Sequence, residues 1–249
     1  MISVIIITKN EEETIEACIK SVKIIAGEIV VLDAYSSDKT VEIAEKLGAT
    51  VIKNRFDNFA SQRNFALSLA RNDWIFYIDA DEKITLEMAE EIKETIKNYK
   101  ENLGIAGYAV RRKTFFLNRD WKFEDRVERL FYKPLFLKWE GVVHETPKMK
   151  GEIGLLKSHL LHYTHRNLSQ MVKKTNFWSD YEADLRIKSN HPKMSSWRFI
   201  RVMATGFLKS YFLEKGYKNG TEGVIESFYQ AFSMFITYAK LWEKQVKKN

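Results

Sequence analysis

A run of apolar residues, Trp74 to Ile78, ends in three acids, Asp79, Asp81 and Glu82, within the stretch NDWIFYIDADEKIT. A carboxylate taken out of water is costly unless something neutralises it. These acids therefore either reach solvent and merely end a strand, or they hold a cation. Two aspartates one residue apart, with no cysteine near them in the sequence, suit a hard divalent ion, Mg2+ or Mn2+, whose open side takes phosphate oxygens. At a departing diphosphate such an ion offsets the developing charge. The plainer alternative is a solvated loop in which Asp81 or Thr85 caps a helix that starts at Leu86. Two further apolar runs end in the same way. Asp33 closes EIVVLD and is followed by the polar AYSSDKT, while Thr8, Asn10 and Glu11 follow SVIII.

These residues need a scaffold that brings strand ends together. SVIIIT (3–8), EIVVLD (28–33), ATVIKN (49–54) and DWIFYID (73–79) are short β-branched or aromatic runs, apolar on both faces. That is the pattern of parallel strands covered on either side. Between them lie helical patterns. In NEEETIEACIKSV, residues Ile15, Ile19 and Val22 share a face and acids crowd the first turn, where the helix dipole favours them. Thr40 to Leu47, with Gly48 placed to end it, Ala60 to Ala70 and Leu86 to Tyr99 supply the others. The alternation predicts an α/β fold with a mainly parallel sheet. Ligands of such sheets bind at the carboxyl ends of the strands, where the acids stand. After residue 104, GYAVRRKTFFL, RVERLFYK, LKWEGVVHE and GLLKSHLLHYTH read as strands of a smaller antiparallel part. From Leu168 the pattern is helical, with one stripe of Trp197, Ile200, Ala204, Phe207 and Tyr211, and another of Ile225, Phe228, Phe232, Phe235 and Trp242.

The 249 residues, 45% hydrophobic and 29% charged, have the balance of a globular chain and exclude a disordered or fibrous one. One cysteine, Cys18, excludes an internal disulfide and fits a reducing, cytoplasmic setting. The opening MISVIIITKNEEE has too short an apolar run, with the wrong flank, for a signal peptide or a membrane span. Net charge is +7, but residues 1–185 carry 28 basic against 29 acidic residues, and 186–249 carry 12 against 4. A basic tail on a neutral body points to an anionic surface.

The ordered pieces SVIIITKNEEE, EIVVLDAYSSDKT, DNFASQRNFALSLARNDWIFYIDADE, VVHE and LLHYTH resemble the family 2 inverting glycosyltransferases of GT-A fold. The likeness is greatest to enzymes of the lipopolysaccharide core, of the β-1,4-glucosyltransferase type. The resemblance covers residues 1–165 as a nucleotide-sugar-binding catalytic domain and leaves 166–249 as a basic, aromatic-rich helical extension. It implies a nucleotide-diphosphate sugar donor, a glycoside product of inverted configuration and a divalent metal. By the same resemblance Thr8, Asn10 and Glu11 contact the nucleotide, as does Asp33, whose carboxylate is a pure acceptor suited to a base N–H edge. Asp38 lies in the same loop. Gln62, Arg63 and Asn64 resemble the polar cluster before the D-x-D motif, and the Arg63 guanidinium suits a diphosphate. Asp79 is placed near the ribose or metal, Asp81 on the metal, and His162 in the rest of the metal shell. The loop after Asp33 departs from the pattern, with Ala34, Ser37 and Lys39 where glycines or smaller residues are usual.

An inverting transfer needs a base for the acceptor hydroxyl. The resemblance offers Glu145, at the end of VVHE, and Asp125, in WKFEDRVERLF. Glu145 is preferred, because Asp125 has Arg126 and Arg129 near it in the chain to pair with. His159, His162 and His165 also spell a zinc-like H-x-x-H-x-x-H, but on a strand the middle ring faces away from its neighbours. Two other function classes compete. A haloacid-dehalogenase-type phosphohydrolase also carries D-x-D after an apolar strand, usually the one nearest the N-terminus. A non-catalytic membrane-binding protein on a degenerate sugar-nucleotide fold would bind lipid without turnover. No G-x-G-x-x-G follows the first strand, which argues against a dinucleotide enzyme, and no nucleic-acid motif is present. Arg198, Arg201, Lys209, Lys215 and Lys218, set among aromatic residues, suggest a helix lying on an anionic membrane surface. A glycan or glycolipid acceptor at the inner face of the cytoplasmic membrane would account for such a surface.

Overall fold

A computed structural model describes residues 1–101, 104–117, 119–141, 145–164 and 167–247. The first half alternates as expected: β1 (Ile2–Thr8), α1 (Ile15–Val22), β2 (Ala26–Asp33), α2 (Thr40–Lys46), β3 (Thr50–Lys53), α3 (Phe59–Leu69) and β4 (Trp74–Asp79). A three-residue strand, β5 (Glu82–Ile84), and α4 (Leu86–Lys97) follow. Then come β6 (Ile105–Phe116), β7 (Arg119–Tyr132), β8 (Phe136–Glu140), β9 (Thr146–Met149) and β10 (Glu152–Thr164). Three helices follow them, α5 (Leu168–Lys188), α6 (Ser196–Leu208) and α7 (Gly220–Lys247).

Eight strands form one mixed sheet in the order β3-β2-β1-β4-β7-β6-β10-β5, and β8 pairs with β9 in a small antiparallel sheet. Within the large sheet β1, β2, β3 and β4 are parallel, whereas β7 runs against β4 and β5 against β10. The fold is the α/β, GT-A-like arrangement with a helical C-terminal part that the sequence predicts. Burial explains the parallel half. Val4 and Ile6 enter one core with Ile15, Ile19, Phe76 and Met88, while Ile5 enters another with Leu32, Tyr77 and Phe131. Because side chains alternate across a strand, Val4, Ile5 and Ile6 must all be apolar to fill both cores.

Local chemistry sets the boundaries. Asn58 begins α3 with a reciprocal capping box with Ser61, and Thr85 caps α4 through the Met88 N–H; each satisfies an otherwise orphaned helix donor. Thr85, not Asp81, is thus the cap, which frees Asp81 for other work. Gly48, past the end of α2, has φ +83°, a conformation that costs glycine little. Gly107 lets β6 approach β7, since a Cβ there would meet the Leu130 carbonyl oxygen at 2.6 Å.

Two compact units result. The first holds residues 1–113 and 124–162; the second holds 114–123 and 163–249. In the first unit the register sets Thr8 beside Asp33 and Ile7 beside Asp79, so three strands end level. In the second unit Phe116, Trp121, Met171 and Tyr229 make a small core. Ion pairs Lys240–Asp180 and Lys244–Asp184, at 2.8 and 2.6 Å, join α7 to α5. Phe207 packs on Phe228 with ring centres 4.9 Å apart, joining α6 to α7. The predicted α6 stripe is only partly covered: Trp197 is 56% and Ile200 71% exposed.

Candidate active site

Every residue described below belongs to the first unit. At the end of β4 the three acids divide. Glu82 is fully buried. Its Oε2 accepts the Asp79 backbone N–H at 3.0 Å, and its Oε1 accepts from Arg129 Nη2 at 2.6 Å. Arg112 Nη1 lies 3.5 Å from the same Oε1. Arg129 Nη2 also donates to Asp79 Oδ2 at 2.7 Å, and Arg63 Nη2 stands 3.5 Å from Asp79 Oδ1. The cation required by Asp79 and Glu82 is therefore supplied by the chain itself, as guanidinium. Burial opposes charge on Asp79, but Arg129 and then Arg63 overcome it and hold its carboxyl at about 2. Burial likewise opposes the charge of Arg129, while Asp79 and Glu82 keep it firmly protonated.

Asp81 has different company. Its Oδ2 lies 3.6 Å from His162 Nε2, and both side chains are largely buried. The register of β10 against β5, with His162 opposite Glu82, brings the ring there. Burial disfavours the imidazolium, but the Asp81 carboxylate outweighs it and raises the His162 pKa. No group of three His, Cys, Asp or Glu ligands converges among the described residues. Asp81 and His162 are instead a pair, one hard oxygen donor and one imidazole. These two residues would offer a divalent ion one carboxylate oxygen and one imidazole nitrogen. The zinc-like histidine triplet does not assemble among the described residues: His159 Nε2 approaches Glu124 Oε1 at 3.1 Å while His162 goes to Asp81. His165 lies outside the described residues.

The three consecutive residues of α3 have separate tasks. Gln62 is buried, accepting from Asn54 Nδ2 at 3.1 Å and donating to the Arg55 carbonyl at 2.8 Å. Asn64 donates to the Trp139 carbonyl at 2.9 Å and accepts the Trp139 N–H at 2.8 Å, so its amide pins β8 to α3. Arg63 alone faces the acids. Its Nε lies 3.3 Å from Glu145 Oε1, and its guanidinium carbon sits 4.9 Å from the centre of the Trp139 ring. That contact adds cation–π attraction to a desolvated charge.

Asp125 is held side-on by two Arg112 donors, Nε at 3.0 Å and Nη2 at 2.5 Å. The Arg126 or Arg129 partner expected from the sequence is not used. On β7 residues one apart face opposite ways, and residues four apart are roughly 13 Å from each other. The partner therefore comes from β6.

At the β2 end the donors to Asp33 are neutral, while Lys9 Nζ donates to the Ala34 carbonyl at 2.7 Å and to that of Tyr35. Asp33 is fully buried and accepts the Ser36 N–H at 2.9 Å together with the Ser36 hydroxyl. Asn10, at φ +54°, donates its N–H to Ser36 Oγ at 2.8 Å and accepts the Ser37 N–H at 2.8 Å. The Glu11 N–H goes to Thr40 Oγ1 at 2.8 Å, and Asp38 Oδ1 accepts the Thr40 N–H at 3.0 Å. Thr8 Oγ1 is buried and has no hydrogen-bond partner among the described residues, a state that a bound donor or acceptor group would relieve.

The register thus brings Thr8, Asp33 and Asp79 to one rim, with Arg63 reaching Asp79 from α3 and Glu145 reaching Arg63. Asn64 and Gln62 serve their surroundings instead. Sequence reasoning missed Arg129, Arg112 and Trp139. The one signal was an arginine directly before the apolar Leu130-Phe131, an unusual place for a charge unless it is paired.

Comparison with known proteins bears on the chain's family and fold. The model of the family described as Glycosyl transferase family 2 matches residues 3–151. An uncharacterized glycosyltransferase of Rickettsia felis is 34% identical over 99% of this chain and 91% of its own length. The lipopolysaccharide core biosynthesis glycosyltransferase LpsC of Rhizobium meliloti is 28% identical over 99% of this chain and 94% of its own. The S. aureus TarS structure in complex with UDP-GlcNAc aligns with 100% of this chain and 92% of that one, at a TM-score of 0.50 and 13% identity, a likeness of fold.

Proposed function

The chain belongs to glycosyl transferase family 2, and from that premise we propose that it moves a sugar, with inversion, from a nucleotide-diphosphate donor to a lipid-linked glycan acceptor. The observation that carries the reading is the buried Arg63 guanidinium, held between Asp79 and Glu145. A diphosphate group at that rim would find a bidentate donor already desolvated and oriented. Thr8, Asn10, Glu11 and Asp33 bind the nucleotide, the unpartnered Thr8 hydroxyl being the clearest invitation. Asp81 and His162 are the residues that would hold the divalent ion, with Asp79 beside them. When bound, that ion supplies positive charge to the leaving diphosphate. Glu145 accepts the proton of the acceptor hydroxyl, since among the described residues its one ion pair is with Arg63.

Two observations support a lipid-linked acceptor. One is the full-length likeness to LpsC. The other is the second unit, where the Arg198 and Arg201 guanidinium carbons stand 5.3 and 5.0 Å from the Trp197 ring centre. Ile200, Leu208, Phe212 and Leu213 are exposed on the same stretch. Exposed apolar groups interleaved with Arg198, Arg201, Lys209, Lys215 and Lys218 suit an anionic headgroup layer. Among the described residues no helix is long and apolar enough to cross a membrane, so the contact would be peripheral.

The reading is tested with a panel of nucleotide sugars, following nucleoside diphosphate release with and without Mn2+ in the presence of a lipopolysaccharide-core acceptor. One donor giving metal-dependent release, lost in Glu145→Gln, is expected. Release without metal dependence, or none from any donor, would overturn it. Charge reversal at Arg198, Arg201 and Lys209 should lower binding to anionic vesicles, and unchanged binding removes the membrane contact from the account.

A further inference from the structure

The charges form a continuous chain, with Glu82 and Arg129 buried at its centre and Asp125 and Asp79 partly exposed at its ends. Asp125 pairs with Arg112, Arg112 approaches Glu82, Glu82 binds Arg129, and Arg129 binds Asp79. We propose that Glu82 is the central positioning residue of the site, locking the Asp79–Asp81 turn to β6 and β7, and that Asp125 is the outer anchor of Arg112 rather than the base. The inference rests on the transfer reading only for its turnover measurements.

Three observations argue for it. First, Glu82 is fully buried, and its Oε1 is the meeting point of two guanidinium groups. Two like charges pack so closely only around a shared counter-charge, so neither arginine would keep its place without the glutamate. Second, Glu82 grips the turn twice. It accepts the Asp79 backbone N–H directly, and it holds Arg129, which donates to the Asp79 carboxylate. This closed ring fixes both the backbone and the side chain from which Asp81 projects two residues on. Third, each oxygen of Asp125 already takes an Arg112 donor. A general base needs a lone pair aimed at the acceptor, and a bidentate guanidinium clamp occupies the directions that suit one best.

The roles of Glu82 and of Asp125 can be separated experimentally in the full chain. The first measurement is hydrogen exchange at the Asp79 amide by NMR, without metal or donor. Arg112→Met does not touch that amide, yet it should speed exchange at least tenfold by loosening Glu82, and Arg112→Lys should partly restore protection. Arg129→Met should do the same more strongly; should it fail to fold, Arg112→Met carries the test. The second measurement is turnover. Arg112→Met and Asp125→Asn should each lower kcat by about the same factor, and the double variant should lower it no further. Wild-type exchange at Asp79 in Arg112→Met overturns Glu82 as the hub whatever the chain transfers. Loss of turnover in Asp125→Asn by about 100-fold or more, with Arg112→Met active, overturns the anchor and makes Asp125 the base. Equal losses that multiply in the double variant also overturn it.

Discussion

The two ends of the same sheet edge satisfy their acids in opposite ways. At β2, the buried Asp33 is met by Ser36, three residues on, and the loop around it is tied to Asn10 and Glu11 by amides and hydroxyls. At β4, Asp79 and Glu82 are met by Arg129, 50 and 47 residues away in sequence, and by Arg63 and Arg112 from two other elements. At the first, the Asp33 carboxylate is met locally by Ser36, and the nearby Lys9 ammonium donates to the Ala34 and Tyr35 carbonyls. The second is long-range and built on charges of which Glu82, Arg129 and Arg63 are buried. Neutral hydrogen bonds exchange for ligand or water contacts at modest cost, whereas a buried ion pair loses far more when one partner leaves. The β2 end can therefore adjust more easily than the β4 end.

Breaking the β4 end should produce the largest effect. Arg129→Met leaves Glu82 and Asp79 without their main partner and should cost about 3–5 kcal/mol of stability, read by urea unfolding. A loss under about 1 kcal/mol would show that the buried charges are not what holds the turn. Next comes Arg63→Met, which should sharpen the contrast through acid unfolding. The Asp79 carboxyl stands at about 2 in the folded chain against 3.8 for the free side chain. A lowered folded value means stability fully present above about pH 4 and lost as pH falls toward 2. Without Arg63 the folded value rises and this acid limb shrinks; an unchanged limb would mean that Arg129 alone sets it. The smallest effect belongs to the β2 end. Ser36→Ala should cost about 1.5–3 kcal/mol, less than Arg129→Met because the Ser36 N–H still serves Asp33, and should leave the acid limb as it was. A cost matching that of Arg129→Met would erase the distinction between the two ends.

The same contrast explains what could be read before folding. Asp33 with its serine loop and the polar strand ends are visible to periodicity and spacing, while the sequence leaves the cap of α4 open between Asp81 and Thr85 and the structure gives it to Thr85. Asp79 and Asp81 were visible as a paradox, an apolar strand running into acids, but the resolution was not. Arg129 and Arg112 sit in strands that mix charged and apolar residues; the apolar Leu130-Phe131 after Arg129 hints at a paired charge, but nothing near Arg112 in sequence marks a buried guanidinium. Only pairing β4 with β7, and the order β7-β6-β10-β5 beyond it, brings them to Glu82. Asn64 shows the converse. It shares a polar triplet with Arg63, yet both ends of its amide serve the Trp139 backbone, a long-range contact that residue type alone does not announce.

The most direct test of the account is the binding of a nucleotide sugar to wild type and to Asp81→Ala, followed by thermal shift with and without Mn2+. The account predicts that the donor raises the wild-type melting temperature strongly only when Mn2+ is present, and that Asp81→Ala folds normally but loses the Mn2+-dependent part. An Asp81→Ala protein that responds to donor and Mn2+ as wild type does would contradict it.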